Sequence, residues 1–145
     1  NTYTARRHPM KILILDGQGG KLGSQLVKTI LARFPQADLT AVGTNAAATS
    51  AMVKAGAKKA ATGENPVLVA CRQADVILGP IGMVIADSLL GEITPAMAAA
   101  IGQAPGVRIL IPVNRCDNLV AGVGTPSLTA LLEDAVEMLA ALMHS

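Results

Sequence analysis

Short, nearly continuous apolar runs recur along the chain at regular intervals. Runs of this length and composition are typical of strands that are covered on both faces in a parallel sheet. We predict a strand at each clear run, a short strand at 58–62 and a further strand at the sheet edge at 119–123. The clear runs cover residues 11–16, 39–42, 76–78 and 107–113.

Segments with helical periodicity separate these runs. The segment at about 20–33 carries Leu22 and Ile30 on one face, and Pro35 follows its end. Residues that favour helix starts precede several of the others, because Asn and Thr accept hydrogen bonds from the first turn and proline suits the first helical position. These further helices are predicted at 46–55 after Asn45, from Asn65-Pro66 onward, at 96–101 after Thr94-Pro95, and at 127–143.

The alternation of strand and helix from end to end predicts an α/β fold. We expect three layers around a doubly wound, mostly parallel sheet of the Rossmann-like type, with right-handed crossovers. The length of 145 residues fits one domain, which we assign to residues 10–145. Residues 1–9 are polar, lack periodicity and end in a proline, so we expect a flexible leader or residues added for expression.

A glycine-rich turn follows the first predicted strand and opens the first helix, which is the context that a phosphate-binding turn requires. Its glycines form the pattern Gly-x-Gly-Gly-x-x-Gly, which permits a tight turn, close approach of a pyrophosphate and close packing of helix on strand. The alternative is a turn that merely joins strand to helix. The candidate cofactor-binding residues of the turn are Asp16, Gly17, Gln18, Gly19, Gly20, Lys21, Leu22 and Gly23.

This turn resembles that of Rossmann-type NAD(P)-binding domains over about residues 11–45, and the resemblance implies NAD or NADP as the cofactor. Such domains carry an acidic residue at the carboxyl end of the second strand, where it binds the ribose hydroxyls. Here Asp38 begins that strand, and the uncharged Thr44 and Asn45 follow its end. We add Thr44 and Asn45 to the candidate residues, with helix capping as the alternative for Asn45. NAD, NADP, another nucleotide or no nucleotide stay open.

The body of the chain, from Lys11 to about Glu137, also resembles a small bacterial family of unassigned function. That resemblance implies a fold but no activity. The stretches that carry it are Asp16-Gly-Gln-Gly-Gly20, Gly43-Thr-Asn45, Ala61-Thr-Gly-Glu-Asn65, Gly79-Pro-Ile-Gly82, Ala86-Asp-Ser-Leu-Leu-Gly-Glu-Ile-Thr-Pro95 and Ile111-Pro-Val-Asn-Arg-Cys116.

Other polar or glycine-rich stretches follow predicted strands. Because ligands of open α/β sheets bind beyond the carboxyl ends of the strands, we expect 62–65, 79–82 and 114–118 to meet the glycine turn at one rim. Three of these residues complete the candidate cofactor site: Gly79, Pro80 and Ile81.

The same rim supplies the candidate catalytic residues Asn114, Arg115 and Cys116. Arg115 either pairs with a phosphate or carboxylate of a ligand or forms a surface salt bridge. Cys116 is either a reactive thiol or a buried small hydrophobic side chain.

Three acidic residues have open roles at this stage. Asp16 either holds the glycine turn through nearby N–H groups or meets ligand hydroxyls. Asp87 and Glu92 interrupt an apolar stretch, where they cap backbone turns, bind a ligand or pair across a dimer.

Composition and charge exclude several classes of protein. With 51% apolar and 15% charged residues the chain is not disordered, and no apolar run reaches the roughly 18 residues of a membrane helix. Arg6 and Arg7 account for the net charge of +2, and only 1% of residues are aromatic, so we expect no nucleic-acid partner. The two histidines are terminal, so we expect no metal site. The two cysteines form no Cys-x-x-Cys and no signal peptide is evident, which predicts a cytoplasmic protein.

The apolar segment at 81–101 exceeds what one side of a sheet readily covers, so we expect a homodimer through it. The alternative is a helix pair buried within one subunit. The leading functional hypothesis is a module that binds a small-molecule nucleotide. The others are a small-metabolite enzyme that uses residues 114–116, and a structural homo-oligomer whose glycines serve packing only.

Overall fold

The computed structural model describes residues 9–113 and 117–144. Strands and helices alternate along the chain, as the apolar pattern predicts. The strands are β1 (Lys11–Asp16), β2 (Asp38–Gly43), β3 (Lys59–Thr62), β4 (Val76–Pro80) and β5 (Val107–Ile111). The helices are α1 (Lys21–Arg33), α2 (Ala46–Lys54), α3 (Glu64–Gln73), α4 (Pro95–Gly102) and α5 (Leu128–Met143), and a 3-10 helix (Ile81–Val84) follows β4.

The strands form one parallel sheet in the order β3-β2-β1-β4-β5. Leu15 of β1 lies opposite Val42 of β2, and Ile14 lies opposite Leu78 of β4. The chain builds outward from β1 to β3 and then returns to the other side of β1, so the strand order reverses between β1 and β4. In sheets of this kind the reversal marks the crevice where ligands bind. The predicted α/β, doubly wound, Rossmann-like sheet is confirmed.

An apolar layer covers each face of the sheet. Successive side chains of a strand point to opposite faces, so Ile12 and Ile14 pack with α1, α2 and α5. Leu13 and Leu15 pack with α3 and α4 on the other face. Because both faces of the sheet are buried, the sequence of β1 is a continuous apolar run. The sheet and the helices on its two faces form three layers.

Side-chain caps fix the start of three helices. The side chains of Asn45, Thr94 and Ser127 accept hydrogen bonds from the backbone N–H groups of the first turns of α2, α4 and α5. Capping by Asn45 is therefore confirmed. The predicted start of α3 at Asn65-Pro66 is wrong, because the helix begins at Glu64 after Gly63.

The predicted edge strand at 119–123 is also wrong. Residues 121–123 form a turn, residues 119 and 120 have no regular secondary structure, and Leu119 is 95% exposed. The predicted strand at 107–113 ends at Ile111. The described residues include no helix with the length and apolar character needed to cross a membrane.

The segment at 81–101 does not form a helix pair. It consists of the 3-10 helix, an irregular segment at 85–94 and α4. Its large apolar side chains mostly face the sheet of the same chain, so they do not form the exposed patch on which the dimer prediction depended. The homodimer itself stays a prediction. The buried side chains are Met83, Leu89, Ile93, Met97 and Ile101.

Candidate functional site

Asp16, the last residue of β1, holds the glycine turn together. Asp16 is only 8% exposed, and its carboxylate accepts hydrogen bonds from the N–H of Gly17 at 2.8 Å and of Gly23 at 2.6 Å. Burial raises the pKa of Asp16, and the nearby Glu92 carboxylate adds to the rise, while the two N–H groups oppose it. Of the two predicted roles, the structure shows the first, because both carboxylate oxygens bind the turn.

The glycines of the turn divide into packed and open positions. A Cβ atom on Gly20 would lie 2.7 Å from the Cα of Ala48, and Gly20 has a φ of 75°, so this residue packs against α2. A Cβ on Gly23 would lie 2.6 Å from the Sδ of Met52 on α2 and 2.7 Å from the Cβ of Asp16 on β1, and the second contact matches the expected close approach of helix and strand. A Cβ on Gly19 would have no atom of the described residues within 4 Å. We call the side of the turn at Gly19 its open side.

Backbone N–H groups line this open side. At the start of α1 the N–H of Gly23 donates to Asp16 and that of Ser24 donates to Gly20. Within the described residues, no acceptor binds the N–H groups of Gly19, Lys21 and Leu22. The first N–H groups of a helix lack partners within the helix, and the helix dipole adds positive potential there.

Glu92 lies beside the turn, although it is 74 residues from Gln18 in sequence. The N–H of Gln18 donates to both of its carboxylate oxygens, at 3.0 Å to Oε1 and 3.2 Å to Oε2. Thr44 Oγ1 also donates to Oε1, as does Asn45 Nδ2 at 2.8 Å. A carboxylate thus lies at the carboxyl end of β2, where the sequence places only uncharged side chains.

The contacts of Glu92 favour its charged form. Desolvation raises the pKa of its carboxyl group, but hydrogen bonds from Thr44, the Gln18 N–H and Asn45 outweigh it, so the net pKa is lowered. Glu92 is therefore an anion at neutral pH. The sequence signal for this role is that Glu92 is one of two acidic residues that interrupt an apolar stretch, but nothing local in the sequence indicates which residues it contacts.

A strained segment positions Glu92. Asp87, Leu89 and Leu90 all have positive φ, and a left-handed conformation costs about 1–2 kcal/mol for a residue other than glycine. Two anchors hold this segment in place: Leu89 is 3% exposed, and Ser88 Oγ donates to the carbonyl of Gly82. Leu90 points into solvent, 95% exposed.

The anchored segment fills the crevice at the switch point. A cavity of only about 10 Å³ remains between it and the sheet, lined among others by Leu15, Thr44 and Leu89. A groove of about 280 Å³ lies on the α3 face of β1, β2 and β3, with Thr40, Lys59 and Val69 in its lining, and the glycine turn does not border it. Among the described residues, the turn is therefore open on its outer side, along Gly19.

The structure brings most of the predicted site residues together. Residues 16–22, Thr44 and Asn45 meet at one rim, and the stretch at 62–65 joins them, because the N–H of Gly63 donates to the carbonyl of Gly43. Gly79 and Pro80 are instead buried within β4, where a Cβ on Gly79 would lie 2.6 Å from the carbonyl oxygen of Leu15. Their contact with a cofactor, and that of the partly buried Ile81, stays a prediction that this packing does not support.

The predicted catalytic residues Asn114, Arg115 and Cys116 lie outside the described residues. Cys71 on α3 is buried, and burial raises the pKa of its thiol to about 11, as expected for a structural cysteine. Across the described ranges, no group of three or more His, Cys, Asp or Glu side chains is arranged to hold a metal ion.

Together, the parallel sheet and the glycine turn at its switch point define an α/β protein with a Rossmann-like fold. The chain belongs to the family described as a domain of unknown function (DUF3842), which matches residues 11–144. The resemblance of the body of the chain to a family of unassigned function is thereby confirmed. No curated protein and no solved structure matches the chain.

Proposed function

We propose that this domain binds a nucleotide, with NAD or NADP as the leading ligand and its phosphates on the open side of the glycine turn. The observation that carries this proposal is the open space beside Gly19. Its neighbours leave room for a side chain, and its φ is not in the range that requires glycine. Packing among the described residues therefore does not explain a glycine there, whereas close approach of a ligand does.

The donors around Gly19 suit a phosphate. The N–H groups of Gly19, Lys21 and Leu22 have no acceptor among the described residues, and they stand at the positive end of the α1 dipole. The side chain of Lys21 is exposed beside them and supplies a positive charge. The neighbouring N–H of Gln18 already binds the carboxylate of Glu92, so the backbone of this turn has the geometry to bind an oxygen anion.

The structural alternative, in which the glycines serve packing alone, accounts for part of the turn. It explains Gly20 and Gly23, whose added Cβ atoms would collide with α2 or with β1. It does not explain Gly19, where no described residue occupies the space of a side chain. We therefore favour binding, with packing as the role of the other glycines.

A calorimetric titration of NAD, NADP and ADP-ribose into the protein tests this function. The variant Gly19→Val fills the open side without a collision inside the chain, so we expect it to fold normally and to bind at least tenfold more weakly, a loss of about 1.4 kcal/mol. Gly102→Val is the matched control, because Gly102 is also open but lies at the end of α4. If Gly19→Val binds with unchanged affinity, the phosphates do not bind at this turn.

A further inference from the structure

We propose that Glu92 selects the ribose of the ligand, so that the site prefers a nucleotide with a free 2′-hydroxyl, such as NAD, over one with a 2′-phosphate, such as NADP. This inference rests on the proposed function, because it names the class of ligand that the same turn accepts. It assigns a specificity-determining role to a residue that lies outside the glycine motif.

The acidic residue that β2 lacks is supplied from elsewhere in the chain. Dinucleotide-binding domains place a carboxylate at the carboxyl end of the second strand, where it accepts hydrogen bonds from the ribose hydroxyls. Here β2 ends at Gly43, and Thr44 and Asn45 are uncharged. Both of these side chains donate to Glu92, which comes from the segment before α4. The carboxylate therefore occupies the expected place by a long-range contact.

The two oxygens of Glu92 differ in their remaining capacity. Oε1 accepts hydrogen bonds from Thr44, Asn45 and the N–H of Gln18. Among the described residues, Oε2 accepts only the N–H of Gln18, at 3.2 Å, and it shares that donor with Oε1. A carboxylate oxygen can accept about two hydrogen bonds. Oε2 therefore has capacity for a ribose hydroxyl, and Glu92 as a residue is partly exposed.

The same arrangement disfavours a 2′-phosphate. Sites for NADP provide an arginine near the end of the second strand, and the residues at 44–49 include no arginine or lysine. Thr44 and Asn45, the side chains that would otherwise bind a phosphate, already donate to Glu92. A 2′-phosphate at this position would meet the negative charge of Glu92, and residues 44–49 offer no cation to compensate it.

Glu92 is held for this role before any ligand arrives. The left-handed backbone at Leu89 and Leu90 persists because Leu89 is buried beside Gly17 and Ser88 binds the carbonyl of Gly82. Strained backbone that its surroundings enforce is typical of functional sites. A fixed acceptor loses little conformational entropy on binding, so the geometry favours selectivity at this residue.

The experiment compares NAD with NADP by calorimetry on three proteins: the wild type, Glu92→Gln and Glu133→Gln. Glu133 is an exposed residue of α5 and controls for the loss of one negative charge. We expect the wild type and Glu133→Gln to bind NAD about tenfold more tightly than NADP, and Glu92→Gln to reduce this preference to about threefold or less. Thermal melting of each variant confirms that it is folded.

The outcomes separate this inference from the proposed function. If the wild type binds NADP as tightly as NAD, or if Glu92→Gln keeps the full preference, Glu92 does not select the ribose although the turn still binds nucleotides. If the wild type binds neither nucleotide at millimolar concentration, the proposed function fails, and the inference fails with it. The comparison on the wild type needs no variant, so a poorly folded Glu92→Gln protein does not prevent a decision.

Discussion

Gly19 and Gly20 are adjacent in sequence but differ in environment, so the same substitution should have opposite effects at the two positions. Gly20→Ala places a Cβ atom 2.7 Å from the Cα of Ala48 and 2.8 Å from its carbonyl oxygen, on a residue with a φ of 75°. The backbone of α2 cannot move away as a flexible side chain would. Gly19→Ala places its Cβ in open space.

The expected magnitudes follow from these contacts. The left-handed conformation costs an alanine at position 20 about 1 kcal/mol, and overpacking adds about 1–3 kcal/mol, so we expect a loss of about 3 kcal/mol in the free energy of unfolding. For a domain of this size that lowers the melting temperature by about 10 °C. Gly19→Ala should be neutral or stabilising by about 0.4–1 kcal/mol, because alanine reduces the entropy of the unfolded chain.

Urea unfolding followed by circular dichroism measures both variants against the wild type, and the m-value shows whether the unfolding transition stays comparable. A Gly20→Ala protein whose free energy of unfolding lies within about 0.5 kcal/mol of the wild type, the range of ordinary surface substitutions, would contradict the packed environment of Gly20. A Gly19→Ala protein that loses as much stability as Gly20→Ala would contradict the open environment of Gly19. In either case the division of the turn into packed and open glycines would be wrong.

Three further predictions concern the segment beside the turn and the buried thiol. Because hydrogen bonds outweigh desolvation at Glu92, its folded pKa lies below the unfolded one, so its contribution to stability is present above about pH 4.3 and is lost as the pH falls through the lowered pKa. Glu92→Gln should thus be less stable than the wild type at neutral pH and match it in strong acid. If urea unfolding gives the same difference in stability between the two proteins at neutral pH and in strong acid, this prediction is wrong. Leu90→Gly should stabilise the protein by about 1 kcal/mol, because glycine relieves the left-handed strain at this exposed position. Leu89→Gly should destabilise it by about 2 kcal/mol or more, because the side chain of Leu89 is buried. Thermal melting of the two variants distinguishes these effects. Cys71, with a pKa of about 11, should resist iodoacetamide at neutral pH, and its labelling in the native protein, detected by mass spectrometry, would show that α3 opens.

Much of the fold follows from local patterns in the sequence. The helix at 20–33, the caps at Asn45 and Thr94, and the strand at 11–16 each depend on residues close together in the chain. Continuous apolar runs also indicate strands buried on both faces. A parallel sheet follows because helices of suitable length separate the strands.

The incorrect predictions arise where local composition does not determine burial. The segment at 119–123 contains apolar residues but forms no strand, with Leu119 exposed. Conversely, the apolar pattern at 81–101 predicts an exposed patch, but most of its large side chains cover the sheet of their own chain. Both outcomes depend on which other elements reach the segment, and a local pattern does not contain that information.

The candidate site likewise has one part that local sequence predicts and one part that it does not. The glycine turn is identified from its spacing after a strand, and its position at the switch point follows from the fold. The contact of Glu92 with Gln18, Thr44 and Asn45 joins residues 47 to 74 positions apart, and it depends on the unusual backbone at 87–91. No local pattern predicts left-handed conformations at two consecutive leucines.

The most direct test of the central claim observes the backbone amides of the turn during a titration with NAD, by ¹⁵N–¹H correlation spectra of the labelled protein. If phosphates bind at the open side, the amide signals of Gly19, Lys21 and Leu22 shift in a saturable manner, while that of Gly102 stays in place. If these signals do not move, or if the shifts are confined to the groove over β2 and β3, the turn is not the nucleotide site.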